Sequence, residues 1–247
     1  MEVGNGAARL VDAPGGASDI ARSTPFPISM FYLRFTAALL GFLAASLYGV
    51  AIAAFRRDRS RVATDYAELL TRWVGRPLGI RVHVEGRERL YAERPCIFIA
   101  NHQSILDVPV LGWLHPADAV AIAKKELKKI PFFGWLYAVT GNIYIDREDT
   151  TSAVAALRRT ADEIVRRRVG VWIFPEGTRG NVPGELLPFK KGAFQMAIAT
   201  GAPLVPVVVA PLKPEFDMEA RRLTPGTVEV RVLEPIPSAG LTEDDVV

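Results

Sequence analysis

An apolar run constrains this chain more than any other feature. Residues 35–55, FTAALLGFLAASLYGVAIAAF, contain no charged side chain over 21 positions. A helix of that length is about 31 Å long, close to the hydrocarbon thickness of a bilayer. Arg34 stands at one end, where it can snorkel, and Arg56-Arg57-Asp58-Arg59-Ser60-Arg61 follows the other with four cations to one anion. The positive-inside bias therefore places everything after Phe55 in the cytoplasm. A signal peptide fits poorly, because the apolar run is long and the residues before it include Glu2, Asp12 and Asp19. A core helix or an in-plane helix is the remaining alternative. The expectation is a membrane anchor with its basic flank over 30–61, after a mobile tail rich in Gly, Ala, Pro and Ser over 1–29.

Composition narrows the rest. The 247 residues carry 30 Lys+Arg against 27 Asp+Glu, and 23% are charged. That is too many charges for a polytopic membrane protein, and 49% hydrophobic content is too much for a disordered chain. The single cysteine, Cys96, excludes a disulfide scaffold within the chain and a zinc site of several thiolates. Nucleic-acid binding is a poor reading of the net charge of +3, since no base-reading module is present and the cations flank apolar surface.

Beyond residue 61 the pattern alternates. Ile80, Val82 and Val84 alternate with Arg81, His83 and Glu85, which marks a half-buried strand. Continuous apolar runs at 96–100, 119–123, 143–145, 171–174 and 204–209 mark buried strands, and Val228, Val230 and Val232 a last alternating one. Between them, 152–168 and 191–200 have the spacing of amphipathic helices, with Gly170 and Gly201 as their stops, and 62–76 reads as a helix leading to Gly75 and Pro77. Buried strands alternating with helices predict one α/β layered domain over 62–247, with a largely parallel or mixed sheet.

The chemically distinctive residues follow those strands, where open α/β sheets place their sites. Asn101-His102-Gln103-Ser104-Ile105-Leu106-Asp107 offers a dyad: a carboxylate at Asp107 can hold one ring nitrogen of His102 and leave the other to take a proton. Phe174-Pro175-Glu176-Gly177-Thr178-Arg179 reads as an anion cradle without being a Walker loop, and Gly141-Asn142-Ile143-Tyr144-Ile145-Asp146-Arg147 ends in a second arginine. His83 reads as solvated, His115 as a loop residue with no ligand role, and Cys96 as a small buried apolar residue. Lys124, Lys125, Lys128 and Lys129, beside an aromatic stretch at 132–137, suit anionic headgroups or a solvated helix end equally.

Taken together, NHQSILD at 101–107, GNIYIDR at 141–147, FPEGTRG at 174–180 and APLVPVVV at 202–209 resemble the glycerolipid acyltransferases, in particular the 1-acyl-glycerol-3-phosphate (lysophosphatidic acid) acyltransferases of bacteria. The resemblance spans about residues 80–210, and the segments at 124–127 and 188–194 also look like the family's pattern. Tyr144 and Gly180 are slight departures.

This resemblance implies transfer of a fatty acyl group to the sn-2 hydroxyl of a lysophosphatidate, giving phosphatidic acid. It implies His102 as general base oriented by Asp107, with Arg147, Glu176, Gly177, Thr178 and Arg179 binding the substrate. Glu176 would position the acceptor's glycerol or brace Arg179, and Asn101 or nearby N–H groups would steady an oxyanion. No metal and no resident cofactor are implied; acyl-CoA or acyl carrier protein enters as co-substrate. The expected partners are the phospholipid bilayer, lysophosphatidic acid and the acyl donor, and the expected place is a bacterial inner membrane with the catalytic domain in the cytoplasm. Other acceptors (a lyso-ornithine lipid, another lysophospholipid, glycerol-3-phosphate) remain open, as does a non-catalytic lipid-binding scaffold.

Overall fold

The computed structural model describes residues 24–91, 93–146, 150–180, 182, 184–212 and 215–246. Among them, β1 (Ile80–Glu85), β2 (Cys96–Ala100), β3 (Ala119–Lys124), β4 (Ile143–Ile145), β5 (Gly170–Ile173) and β6 (Leu204–Val209) join one sheet. A small hairpin of β7 (Phe216–Asp217) and β8 (Arg222–Leu223) precedes the sheet's last strand, β9 (Gly226–Val232). The order is β1-β9-β6-β2-β5-β3-β4. Strands β6, β2, β5, β3 and β4 are mutually parallel; β9 runs against β6 and carries β1 parallel to itself. The sheet is thus mixed and largely parallel, as its alternating pattern predicts.

The central strand shows why. All five residues of β2 are buried, because both faces of the sheet are covered. Ile97 and Ile99 pack on one face with Ile164 of helix α5 (Thr150–Arg167) and Met196 of helix α6 (Gly192–Thr200). Phe98 and Ala100 point the other way, to Val110 and Leu111 of helix α3 (Asp107–Gly112) and to Trp172. The remaining helices, α1 (Ile28–Phe55), α2 (Arg59–Leu70) and α4 (Phe133–Val139), form a further layer with its own core around Ala45, Tyr66, Phe133 and Leu136.

Two helix ends differ from expectation. Gly201 stops α6 in a left-handed conformation (φ 63°), as predicted. Gly170, however, is the first residue of β5, and Arg168 takes the left-handed position (φ 52°) after α5. Gly170 serves packing instead: a Cβ there would stand 2.5 Å from Phe98 Cε2, whose ring stacks on Trp172 at 4.6 Å. After α2 the helix passes through Gly75 and Pro77 and ends only at Gly79 (φ 75°).

Helix α1 begins seven residues before the uncharged run, at Ile28. Arg34 therefore lies inside it and donates to the Pro77 carbonyl at 2.7 Å, its guanidinium over the Phe26 ring, rather than snorkelling. One face of α1 is a seam of small residues. A Cβ at Gly41 would stand 2.1 Å from the Trp73 carbonyl oxygen, and one at Gly49 2.5 Å from Leu136 Cδ2. Buried Ala38, Ala45, Ser46 and Ala53 continue that seam, so the helix lies against the domain along most of its length. The opposite face leaves Leu33, Leu39, Leu40, Leu43 and Leu47 exposed.

One buried acid belongs to the fold rather than to the strand ends. Glu215 is 2% exposed, its Oε2 has no hydrogen-bond partner among the described residues, and burial pushes its carboxyl from 4.5 up to about 7. The folded chain thus binds a proton between those values that the unfolded chain has released, so this group's contribution to stability falls as pH rises from about 4.5 through about 7. Glu215→Gln removes the titration. The variant should gain stability over the parent at pH 8, by on the order of 1–3 kcal/mol, and lose that advantage near pH 4.5. Chemical denaturation in detergent at the two pH values checks it.

Candidate active site

The exits of β2, β5 and β6 meet at one edge of the sheet, and hydrogen bonds knit them together. Asn101 uses its whole amide on Val209: its Nδ2 donates to the Val209 carbonyl (3.0 Å) and its Oδ1 accepts the Val209 N–H (2.8 Å). Gln103 continues the seam, donating to the Ala210 carbonyl (3.0 Å) and accepting the Leu212 N–H (3.0 Å). Asn101 is therefore a strut between the two strand exits. His102, between the two, is left to face the cavity.

The chain turns sharply after His102, and that turn closes the five-residue spacing. His102 Nδ1 meets Asp107 Oδ2 at 2.6 Å. The same oxygen accepts the main-chain N–H groups of Gln103 (2.8 Å) and Ser104 (2.9 Å), while Ser104 Oγ accepts the Leu106 N–H. Asp107 is fully buried at the first turn of α3, where the helix dipole favours a negative charge. A carboxylate only accepts, so Nδ1 carries the hydrogen and Nε2 keeps its lone pair. The His102 ring stacks on Phe174 at 4.0 Å, which fixes its plane.

Glu176 differs from its expected part. It is 3% exposed, and its two oxygens accept the main-chain N–H groups of His102 (2.7 Å) and Leu187 (2.9 Å). Glu176 thus ties the loop after β2 to a second point of its own loop after β5. A matching bond runs back from the Gly180 N–H to the His102 carbonyl at 2.8 Å. Gly177 needs its left-handed φ of 70°, and a Cβ there would collide with the Lys190 side chain at 2.8 Å. Thr178 and Arg179 are exposed beside it. Arg179 has no ion pair among the described residues and reaches the same cavity as His102; Arg147 lies outside the described residues.

That cavity, about 380 Å³, runs between the sheet and the α2–α4 layer. Its walls are chiefly apolar, from Tyr66, Leu70, Leu111, Leu127, Phe133 and Trp172. His115, expected to be an idle loop residue, lines it too, and burial lowers its ring to about 4, so it is neutral at pH 7. The sequence reading missed Lys190, Trp172 and His115. Alternation along β5 puts Trp172 on the face of Phe174, a signal that was present; the reach of Lys190 across Gly177 is a tertiary contact with no local signature. Cys96 is buried with its thiol pushed up to about 11, and His83 pairs with Glu229 in solvent. Among the described residues no group of three His, Cys, Asp or Glu is placed to hold a metal ion.

Replacing Glu176 by Ala would leave two N–H groups without acceptors and should cost roughly 2–5 kcal/mol. Thr178→Ala, on an exposed side chain, should stay within about 0.5 kcal/mol of the parent. Denaturant titrations of the two variants give the comparison.

Comparison with known proteins converges on one family. Its model, described as Acyltransferase, matches residues 81–210. The human 1-acyl-sn-glycerol-3-phosphate acyltransferase beta is 42% identical over 168 residues, 68% of this chain and 60% of its own length. The chain thus spans about three fifths of that relative. The 1-acyl-sn-glycerol-3-phosphate acyltransferase of Haemophilus influenzae is 39% identical over 182 residues, 72% of this chain and 74% of its own length. Among solved structures, the 1-acyl-sn-glycerophosphate (LPA) acyltransferase PlsC from Thermotoga maritima is similar with a TM-score of 0.66 and 27% identity, covering 87% of this chain and 90% of that one.

Proposed function

The chain belongs to the Acyltransferase family, and from that premise we propose that it transfers a fatty acyl group from a thioester to the sn-2 hydroxyl of 1-acyl-glycerol-3-phosphate. One observation carries the reading: the His102–Asp107 pair stands at an apolar cavity, beside an arginine with no protein counter-ion among the described residues. The cavity suits the acyl chain, and Arg179 with the neighbouring Lys190 suits the acceptor's phosphate. No resident cofactor enters the scheme; acyl-CoA or acyl carrier protein is the co-substrate.

In this mechanism Nε2 of His102 takes the proton from the sn-2 hydroxyl as its oxygen attacks the thioester carbonyl carbon. Asp107 stabilises the imidazolium so formed and holds its orientation. Collapse of the tetrahedral intermediate breaks the C–S bond, and the leaving sulfur takes the proton from Nε2. The ester is formed, and the free thiol and the neutral histidine are restored.

The same reading places the protein at the cytoplasmic face of a bacterial inner membrane, with α1 lying in the interface rather than crossing it. Support for this placement comes from the small-residue seam. A helix packed on its domain along most of its length cannot also be wrapped by lipid on every side, and its exposed leucines offer an apolar face to one leaflet. Gly41→Leu should therefore lower the melting temperature of the whole domain by several degrees. A helix that spanned the bilayer on its own would tolerate the change.

Purified protein offered a panel of lysolipids with acyl-CoA and acyl carrier protein should release thiol and form phosphatidic acid. His102→Ala should reduce turnover roughly a thousandfold. Arg179→Ala should raise the acceptor's KM by about tenfold to a hundredfold and leave the donor's nearly unchanged. Preference for a lysolipid without a phosphate monoester would overturn the acceptor, and no acylation of any lysolipid would overturn the reaction.

A further inference from the structure

Among the described residues that line the cavity, three are exposed: Ile105, Val108 and Arg179. They mark its mouth, and two of the three are aliphatic. Ile105 is 60% exposed and Val108 46%. Packing of the domain does not call for them there. Leu106, between them, is the residue that turns inward and joins Val110 and Leu111 in the core. Aliphatic side chains held in water at an open rim gain nothing from folding, and grouped at a groove they mark a place for an apolar ligand.

Their place in the chain ties them to the reacting pair. Ile105 lies in the turn between His102 and Asp107, and Val108 follows Asp107 in the first turn of α3. Asp107 Oδ2 holds that turn by the His102 ring (2.6 Å) and by the N–H groups of Gln103 and Ser104. The same bonds therefore fix the aliphatic lip relative to the base. A lysophosphatidate carries its phosphate and its acyl chain on the two outer carbons of glycerol, with the reacting hydroxyl between them. The mouth offers the matching three parts: a cation at Arg179, a base at His102 and an apolar edge. The cavity behind it, about 380 Å³, is small among ligand-sized cavities, and the donor's chain fills it. The acceptor's own chain needs a place outside.

We propose that Ile105 and Val108 form an acceptor subsite at the cavity mouth, where the sn-1 acyl chain of the lysophosphatidate lies across them while Arg179 holds the phosphate. This rests on the acyltransferase reading, with the donor's chain inside the cavity. The pair makes the acceptor's chain, and not its phosphate alone, a determinant of turnover. Only the carbons nearest the glycerol meet the lip; those beyond it extend past the protein. No covalent bond changes in the subsite.

The test uses the full-length protein in detergent with one acyl-CoA and a series of lysophosphatidates whose sn-1 chains lengthen two carbons at a time. For the parent, kcat/KM should climb over the first few carbons by roughly tenfold in all. Partition into micelles acts alike on every variant. Ile105→Ser combined with Val108→Ser should flatten the climb to about twofold, the loss falling on the acceptor's KM and growing with chain length. A loosened site would lose turnover on every acceptor equally. Val108→Ser alone should give a milder form of the same change, and Ile105→Leu should restore the parent's climb. A climb that survives the double substitution overturns the subsite, as does a parent that uses every chain length equally well. If the substitutions instead release the protein from sedimenting anionic vesicles and leave the climb intact, the lip meets bilayer chains and the proposal falls. No acylation of any lysophosphatidate strikes the acyltransferase reading itself.

Discussion

A buried carboxylate that spends its charge on main-chain N–H groups is the interaction around which this site is built. Glu176 does so twice, joining the loop after β2 to the loop after β5 and to Leu187 beyond it. Asp107 repeats the device with the N–H groups of Gln103 and Ser104 and the ring of His102 on a single oxygen. Enclosing an anion is costly unless its hydrogen bonds are supplied, and here the supply comes from loop backbone that would otherwise have no partner. Each acid therefore satisfies the loop that surrounds it, and holds the loops together where they converge.

How legible this was in the sequence depends on the range of the interaction. The strands β2, β4 and β6 are readable to the residue, because each is an unbroken apolar run, which in β2 reflects burial on both faces. His102 and Asp107 are readable as a pair, since both stand at a strand exit five positions apart. The part played by Glu176 is not, because its partners lie 74 and 11 residues away and nothing local distinguishes a brace from a ligand. Gly170 is a similar case. Next to the end of a helix it looks like a stop, and only the Phe98 ring on the neighbouring strand shows that the missing side chain makes room in the sheet. The hairpin at β7 and β8 has two-residue strands, too short for any period to appear.

The apolar run at 35–55 was legible as a helix but not in its setting. Composition alone treats all its residues as equivalent, and the glycines and alanines pass as filler among the leucines. In the folded chain Ala38, Ala45, Ser46, Gly49 and Ala53 make the seam, with Phe42, Val50 and Ile52 packed beside it, while Leu39, Leu40, Leu43 and Leu47 face outward. A helix meant only for lipid has no need of that division.

The seam gives α1 two sets of neighbours with opposite demands. Tyr66, Leu70 and Phe133 line the cavity on one side and belong to the α1-packed core on the other, so a single layer of side chains separates α1 from the cavity. Outward positions such as Leu40 and Leu43 can drift among apolar residues with little consequence. Inward positions such as Gly41 and Gly49 admit almost no substitute. Chains of this kind should therefore vary freely on one face of this helix and hardly at all on the other, and an engineer who removed α1 to gain solubility would be removing the outer support of the cavity wall.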